Sequence, residues 1–134
     1  MIMQNTEINF GRVLKAGLIA GFIGIGLNNI WSLVAGALGA TIPSAFAISV
    51  TITSLLPVVI ASLLYFLLAR YVAKGPLVFT VLGVGFLLFS FFPVFNNPQL
   101  PDGTVMDDTF PLLVAPMHVF SGLLALYGIP KWSR

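Results

Sequence analysis

The stretch Ala16–Ala69, AGLIAGFIGIGLNNIWSLVAGALGATIPSAFAISVTITSLLPVVIASLLYFLLA, contains no Lys, Arg, Asp, Glu or His. A soluble domain of 134 residues has no interior large enough to hide a charge-free run of that length. A bilayer core about 30 Å thick needs about 20 apolar residues per helical crossing, at a rise of about 1.5 Å per residue. The run therefore holds two crossings and a turn. Two further apolar blocks follow, Pro76–Phe95 and Phe110–Ile129. The expectation is an all-α integral membrane four-helix bundle, a single domain over residues 1–134. Its spans lie at about 13–38, 45–69, 76–95 and 110–129.

Composition agrees. Apolar residues make up 58% of the chain and charged residues 7%, and the mean hydropathy is +1.04. Globular domains are typically about 25% charged. The net charge of +2 does not point to nucleic acid, because six scattered cations form no contiguous patch along the sequence. With no cysteine, disulfides and thiolate chemistry are excluded. The N-terminal stretch Met1–Phe10 is polar and carries Glu7, and Arg12 and Lys15 lead into a run of full spanning length. It is expected to be an uncleaved first span and not a signal peptide. Neither end carries a lipidation motif.

Charge placement tests the span map independently. In a four-span chain the N-terminus, the turn between helices 2 and 3, and the C-terminus share one side. Arg12, Lys15, Arg70, Lys74, Lys131 and Arg134, all the basic residues, fall there. The other side receives Asp102, Asp107 and Asp108. Cytoplasmic segments are enriched in Lys and Arg, so both termini are expected in the cytoplasm. The same distribution argues against three or five spans. Among the prolines, Pro43 marks the start of helix 2, and Pro57 should kink it. Pro93 and Pro98 should end helix 3, and Pro130 should stop helix 4.

Depth groups the polar residues. Asn28 lies about 22 Å from the inner boundary and His118 about 12 Å below the outer one, so the two levels nearly coincide in a core about 30 Å thick. Ser90, Ser49, Thr51, Thr53 and Ser54 come to similar heights. The candidate polar cluster is His118, Asn28, Asn29, Ser90 and Thr53. Its functional reading is a polar cavity open to the outside, with His118 as the titratable member. Its structural reading is a neutral His118 hydrogen-bonded across helices, with Asn28 as first-choice partner and Ser90 or Thr53 as second. The structural reading asks for less and is preferred. A lone His without Cys builds no closed zinc site, and nothing in the sequence asks for haem, so no metal or cofactor is expected.

Gly17, Gly21 and Gly24 share one face of helix 1 with Asn28, at i, i+4, i+7 and i+11. Such small-residue faces let helix backbones approach closely. The face could form a homodimer seam, but packing inside the bundle is preferred. The phenylalanines of helix 3 read as lipid-facing or core residues, and Asp107–Asp108 as a solvated pair or a cap for helix 4. No nucleophile elbow, phosphate loop, zinc-helix motif or intramembrane acid pair is present, so no enzymatic activity is expected.

Helix 3 ends near Pro93, a polar loop follows, and helix 4 carries Met117-His118-Val119 and closes on Ile129-Pro130. In these features the chain resembles the bacterial domain-of-unknown-function family 6069. The resemblance implies a four-helix integral membrane protein with no assigned activity. Two functions are carried forward. The first is a small non-enzymatic, multi-pass cell-membrane protein acting as a structural or accessory subunit. Its partners would be the lipid bilayer and, as a homo-oligomer or within a larger membrane complex, other chains. The alternative is a small-molecule or proton-linked carrier that uses the polar layer around His118.

Overall fold

The computed structural model describes residues 8–96, 99–100 and 102–134. Four helices long and apolar enough to cross a membrane make up the architecture. Helix α1 spans Phe10–Ala37, α2 Phe46–Tyr71, α3 Gly75–Phe95 and α4 Phe110–Leu123; a π-helical turn, Leu124–Gly128, carries α4 into a short α5, Ile129–Trp132. Each long helix packs on its neighbours in sequence, and α4 closes the ring against α1. The sequence spans agree with these to within a few residues. Residues Met1–Glu7, and Asn97, Pro98 and Pro101 of the polar loop, lie outside the described residues.

Local chemistry sets the ends. Asn9 caps α1, its side-chain oxygen accepting from the Arg12 amide at 3.2 Å, as N-cap residues do. Gly39, at φ 98°, turns the chain after α1, a left-handed conformation that glycine adopts without steric cost. Of the three closing prolines, the two that are described, Pro93 and Pro130, behave differently from the expectation. Helix α3 runs through Pro93 to Phe95. A proline so near a helix end removes one hydrogen bond and ends little. Asn96 then closes the helix, with its amide (3.1 Å) and its side-chain Nδ2 (2.8 Å) both donating to the Phe92 carbonyl. Likewise the chain stays helical through Pro130 to Trp132. The wider π turn just before Pro130 leaves room for its ring against the carbonyl one turn back, which an ordinary α-helix would not.

The exterior is apolar. Leu33, Phe89 and Phe86 are 76%, 72% and 70% exposed, which suits acyl chains and not water. Phe86, Phe89, Phe92 and Phe95 all stand exposed on α3, and their three-residue spacing winds them around the helix. Inside are two apolar clusters stacked along the bundle and a third beside the polar loop. The inner one includes Val13, Ala20, Val58, Tyr65, Phe79 and Ile129; the outer one includes Ala35, Phe46, Val50, Leu113 and Met117. Ile8 and Arg134 lie at one end of the bundle, called inner as a name only. There the Phe10 ring, opening α1, stands edge-on to Phe66 near the end of α2, at 5.2 Å.

The glycine face of α1 packs on α2. A β-carbon at Gly17 would lie 2.5 Å from Ser62 Cβ, and one at Gly21 would lie 2.6 Å from Leu55 Cδ1. Gly24 is less crowded, with its nearest atom, Leu124 Cδ1, at 3.5 Å. The seam is thus used within the chain.

At the opposite end the described residues of the polar loop make contacts of their own. Gln99 and Val105 form an antiparallel bridge, and Met106 is buried beside Val94 and Phe110. Asp107 joins the two outer connections. Its carboxylate accepts from the Thr109 amide at 2.9 Å and from the hydroxyls of Thr109 and Thr41. The Thr41 amide in turn donates to Thr109 Oγ1 at 2.9 Å. Of the two adjacent aspartates, Asp107 therefore holds the start of α4. The Thr109 and Thr41 hydroxyls and the Thr109 amide keep its carboxyl below the usual carboxylate value of 3.8. Thr104 does the same for Asp102 through its amide and hydroxyl.

A depressed folded-state pKa contributes stability that is present above the unfolded value and is lost as pH falls through the folded one. Thermal melts in detergent should therefore drop as pH is taken below 3.8. In Asp107→Asn, whose Nδ2 cannot accept the Thr41 hydroxyl, part of that drop should be gone. Identical acid profiles for the two proteins would show that the clasp contributes nothing.

Candidate functional site: a polar layer inside the bundle

Between the inner and outer apolar clusters sits one buried amide. Asn28 of α1 is 3% exposed. Its Nδ2 donates to Ser54 Oγ on α2 at 2.8 Å and to Ser121 Oγ on α4 at 3.1 Å. One side chain thus ties three helices at one level. Its Oδ1 is buried without a partner among the described residues. Sequence order explains the level. Ser54 lies between Val50 of the outer cluster and Val58 of the inner one, and Ser121 lies between Met117 and Ile129.

His118 belongs to a second, separate contact. Its Nδ1 lies 2.7 Å from Ser90 Oγ on α3, and the Ser90 hydroxyl also reaches the Leu87 carbonyl at 2.6 Å. A carbonyl only accepts, so satisfying both contacts assigns the proton to Nδ1, with Ser90 donating onward to Leu87. The half-buried ring lies 5.7 Å from the Phe91 ring. His118 therefore joins α4 to α3, while Ser121, one turn deeper by about 4.5 Å, joins α4 to α1 and α2.

This layout corrects the expected cluster. Asn28 does not pair with His118; the second-choice partner, Ser90, does. Depths reckoned from span ends are good only to about a turn, because tilt and boundary placement shift them by that much. Asn29 leaves the cluster, its Nδ2 donating to the Ile25 carbonyl of its own helix at 2.8 Å. Thr53 leaves it too, exposed and bonded back to the Ser49 carbonyl at 2.7 Å. Each is one residue, or about 100° of helix rotation, from the side chain that faces inward. Ser121 was missed, although a small hydroxyl residue three positions after His118 was a usable signal.

A third tie was also missed. Trp31 Nε1 donates to the Leu112 and Leu113 carbonyls at 3.2 and 3.1 Å. Pro116 has no N–H to offer the Leu112 carbonyl four residues before it, so α4 carries a free acceptor there, and the indole of α1 fills it.

The chemistry of the layer is that of neutral donors and acceptors. Among the described residues, no three His, Cys, Asp or Glu gather as metal ligands. Comparison of the chain with protein-family models, with curated proteins and with solved structures finds no match.

Proposed function

We propose that this chain is a non-enzymatic, multi-pass cell-membrane protein that works as a structural or accessory subunit, as a homo-oligomer or in a larger membrane complex. On this reading both termini are cytoplasmic, and the chain is one of the bacterial domain-of-unknown-function family 6069 it resembles. The observation that carries the reading is how the polar side chains within the spans are used. Asn28, Ser54, Ser121, Ser90, His118 and Trp31 all join one helix to another. Such bonds hold membrane helices together at about 0.6–2 kcal/mol each.

The test has two arms. In the first, the full chain is purified in mild detergent after crosslinking in cells. A stoichiometric partner, or a defined homo-oligomer, is expected. A monomer that moves protons or a small solute in vesicles, and stops doing so in His118→Leu, would replace the subunit by the carrier. In the second arm, the absence of native cysteine permits single-site labelling. Thr104→Cys should react with an impermeant maleimide in intact cells, and Ala73→Cys only after permeabilisation. The reverse pattern would invert the topology.

A further inference from the structure

Four of the six cations frame one groove at the inner end of the bundle. Arg12 and Lys15 on α1, with Lys131 and Arg134 at the chain's end, line it together with Ile19 and Trp132, and its volume is about 610 Å³. The three aspartates among the described residues lie in the loop at the opposite end. Lys131, in the last turn of α5, complements the helix dipole, but helix mechanics do not explain Arg12 and Lys15. A cation in the first turns of a helix opposes the macrodipole, and α1 has no acidic residue in its first turn to offset it. Lys131 is steadied at the rim by Tyr127, whose hydroxyl accepts from Nζ at 3.3 Å and whose ring centre lies 5.1 Å from it.

Along α1 the groove changes character. Arg12, Lys15, Ile19 and Phe22 follow i, i+3, i+7 and i+10, and so share one stripe. Ile19 is 39% exposed, Phe22 62% and Trp132 38%. The stripe is cationic at the membrane edge and apolar over the next about 10 Å toward the bilayer centre. That sequence of chemistry, positive charge and then hydrocarbon, matches a phosphate headgroup followed by an acyl chain. Basic pockets between membrane helices commonly take such headgroups.

We propose that this groove binds an anionic phospholipid, with its phosphate held among Arg12, Lys15, Lys131 and Arg134 and its acyl chain laid on Ile19 and Trp132. The proposal rests on the membrane-spanning fold and not on which side the termini face, so it stands or falls separately from the subunit reading.

The test is native mass spectrometry of the full chain in mild detergent, titrated with phosphatidylglycerol or with phosphatidylcholine of the same chain length. Selective retention of phosphatidylglycerol is expected. Arg12→Gln/Lys131→Gln should weaken it roughly thirtyfold, while Arg70→Gln/Lys74→Gln, which removes as much charge at the same end, should change it by less than about twofold. All four side chains are exposed, so both variants should keep their melting temperatures. Equal losses in the two variants would reduce the effect to general surface attraction and overturn the site, as would indifference between the two lipids. Displacement of the lipid by millimolar inorganic phosphate would make free phosphate the ligand and overturn the lipid assignment; retention in its presence supports it.

Discussion

Gly17→Ala is expected to destabilise the bundle by about 1–2 kcal/mol, read as a lower midpoint in reversible unfolding from mixed micelles. Two effects oppose each other. Alanine improves intrinsic helix propensity by about 1 kcal/mol. Overpacking a filled interface costs about 1–3 kcal/mol. Overpacking wins here because the new methyl would lie 2.5 Å from Ser62 Cβ and equally close to its Oγ. Ser62 is fully buried on α2, so the atoms in the way sit next to backbone and cannot swing aside. Gly17→Ala/Ser62→Gly should therefore recover most of the loss. Gly21→Ala should be milder, because the atom it meets is the end of the Leu55 side chain, at 2.6 Å. Gly36→Ala, near the end of α1 and 3.3 Å from Ile42 Cγ1, should be milder again. A neutral Gly17→Ala would mean that α1 and α2 do not approach so closely.

The second large effect concerns Asn28. Ser54→Ala/Ser121→Ala removes both acceptors of its Nδ2 and leaves a carboxamide with no partner at all, since Oδ1 already lacks one. An orphaned buried polar group costs more than the net worth of the bond it lost. The double variant should lose about 2 kcal/mol, and adding Asn28→Leu should restore much of it by replacing the whole polar set with apolar groups of similar shape. Equal stabilities for the double and triple variants would show that water reaches the amide, which would reopen the carrier reading.

Both expectations depend on neighbours far apart in the chain, and that marks the limit of what could be read in advance. The class, the four spans and the gathering of all six cations at one end were legible in the sequence. Span length and charge asymmetry are properties of the chain in one dimension, set by bilayer thickness and by the cost of placing charge in hydrocarbon. The glycine face was legible too, since Gly17, Gly21 and Gly24 repeat with the helix period.

Only the tertiary structure decided which polar residues meet. Asn28 and Asn29, or Ser54 and Thr53, differ by one residue, and one residue is about 100° of rotation. In water a hydrophobic stripe would reveal that rotation. In a bilayer the outside of a helix is as apolar as its inside, so the pattern carries little directional signal. Rotation is then set by close packing, such as Gly17 on Ser62, and by single bonds, such as Trp31 to the acceptor that Pro116 leaves free. The prolines teach the same point. Pro93 and Pro130 read as stops, yet the helices pass through them, because proline's cost depends on whether the turn around it can widen or end nearby, and that is a property of the assembled bundle.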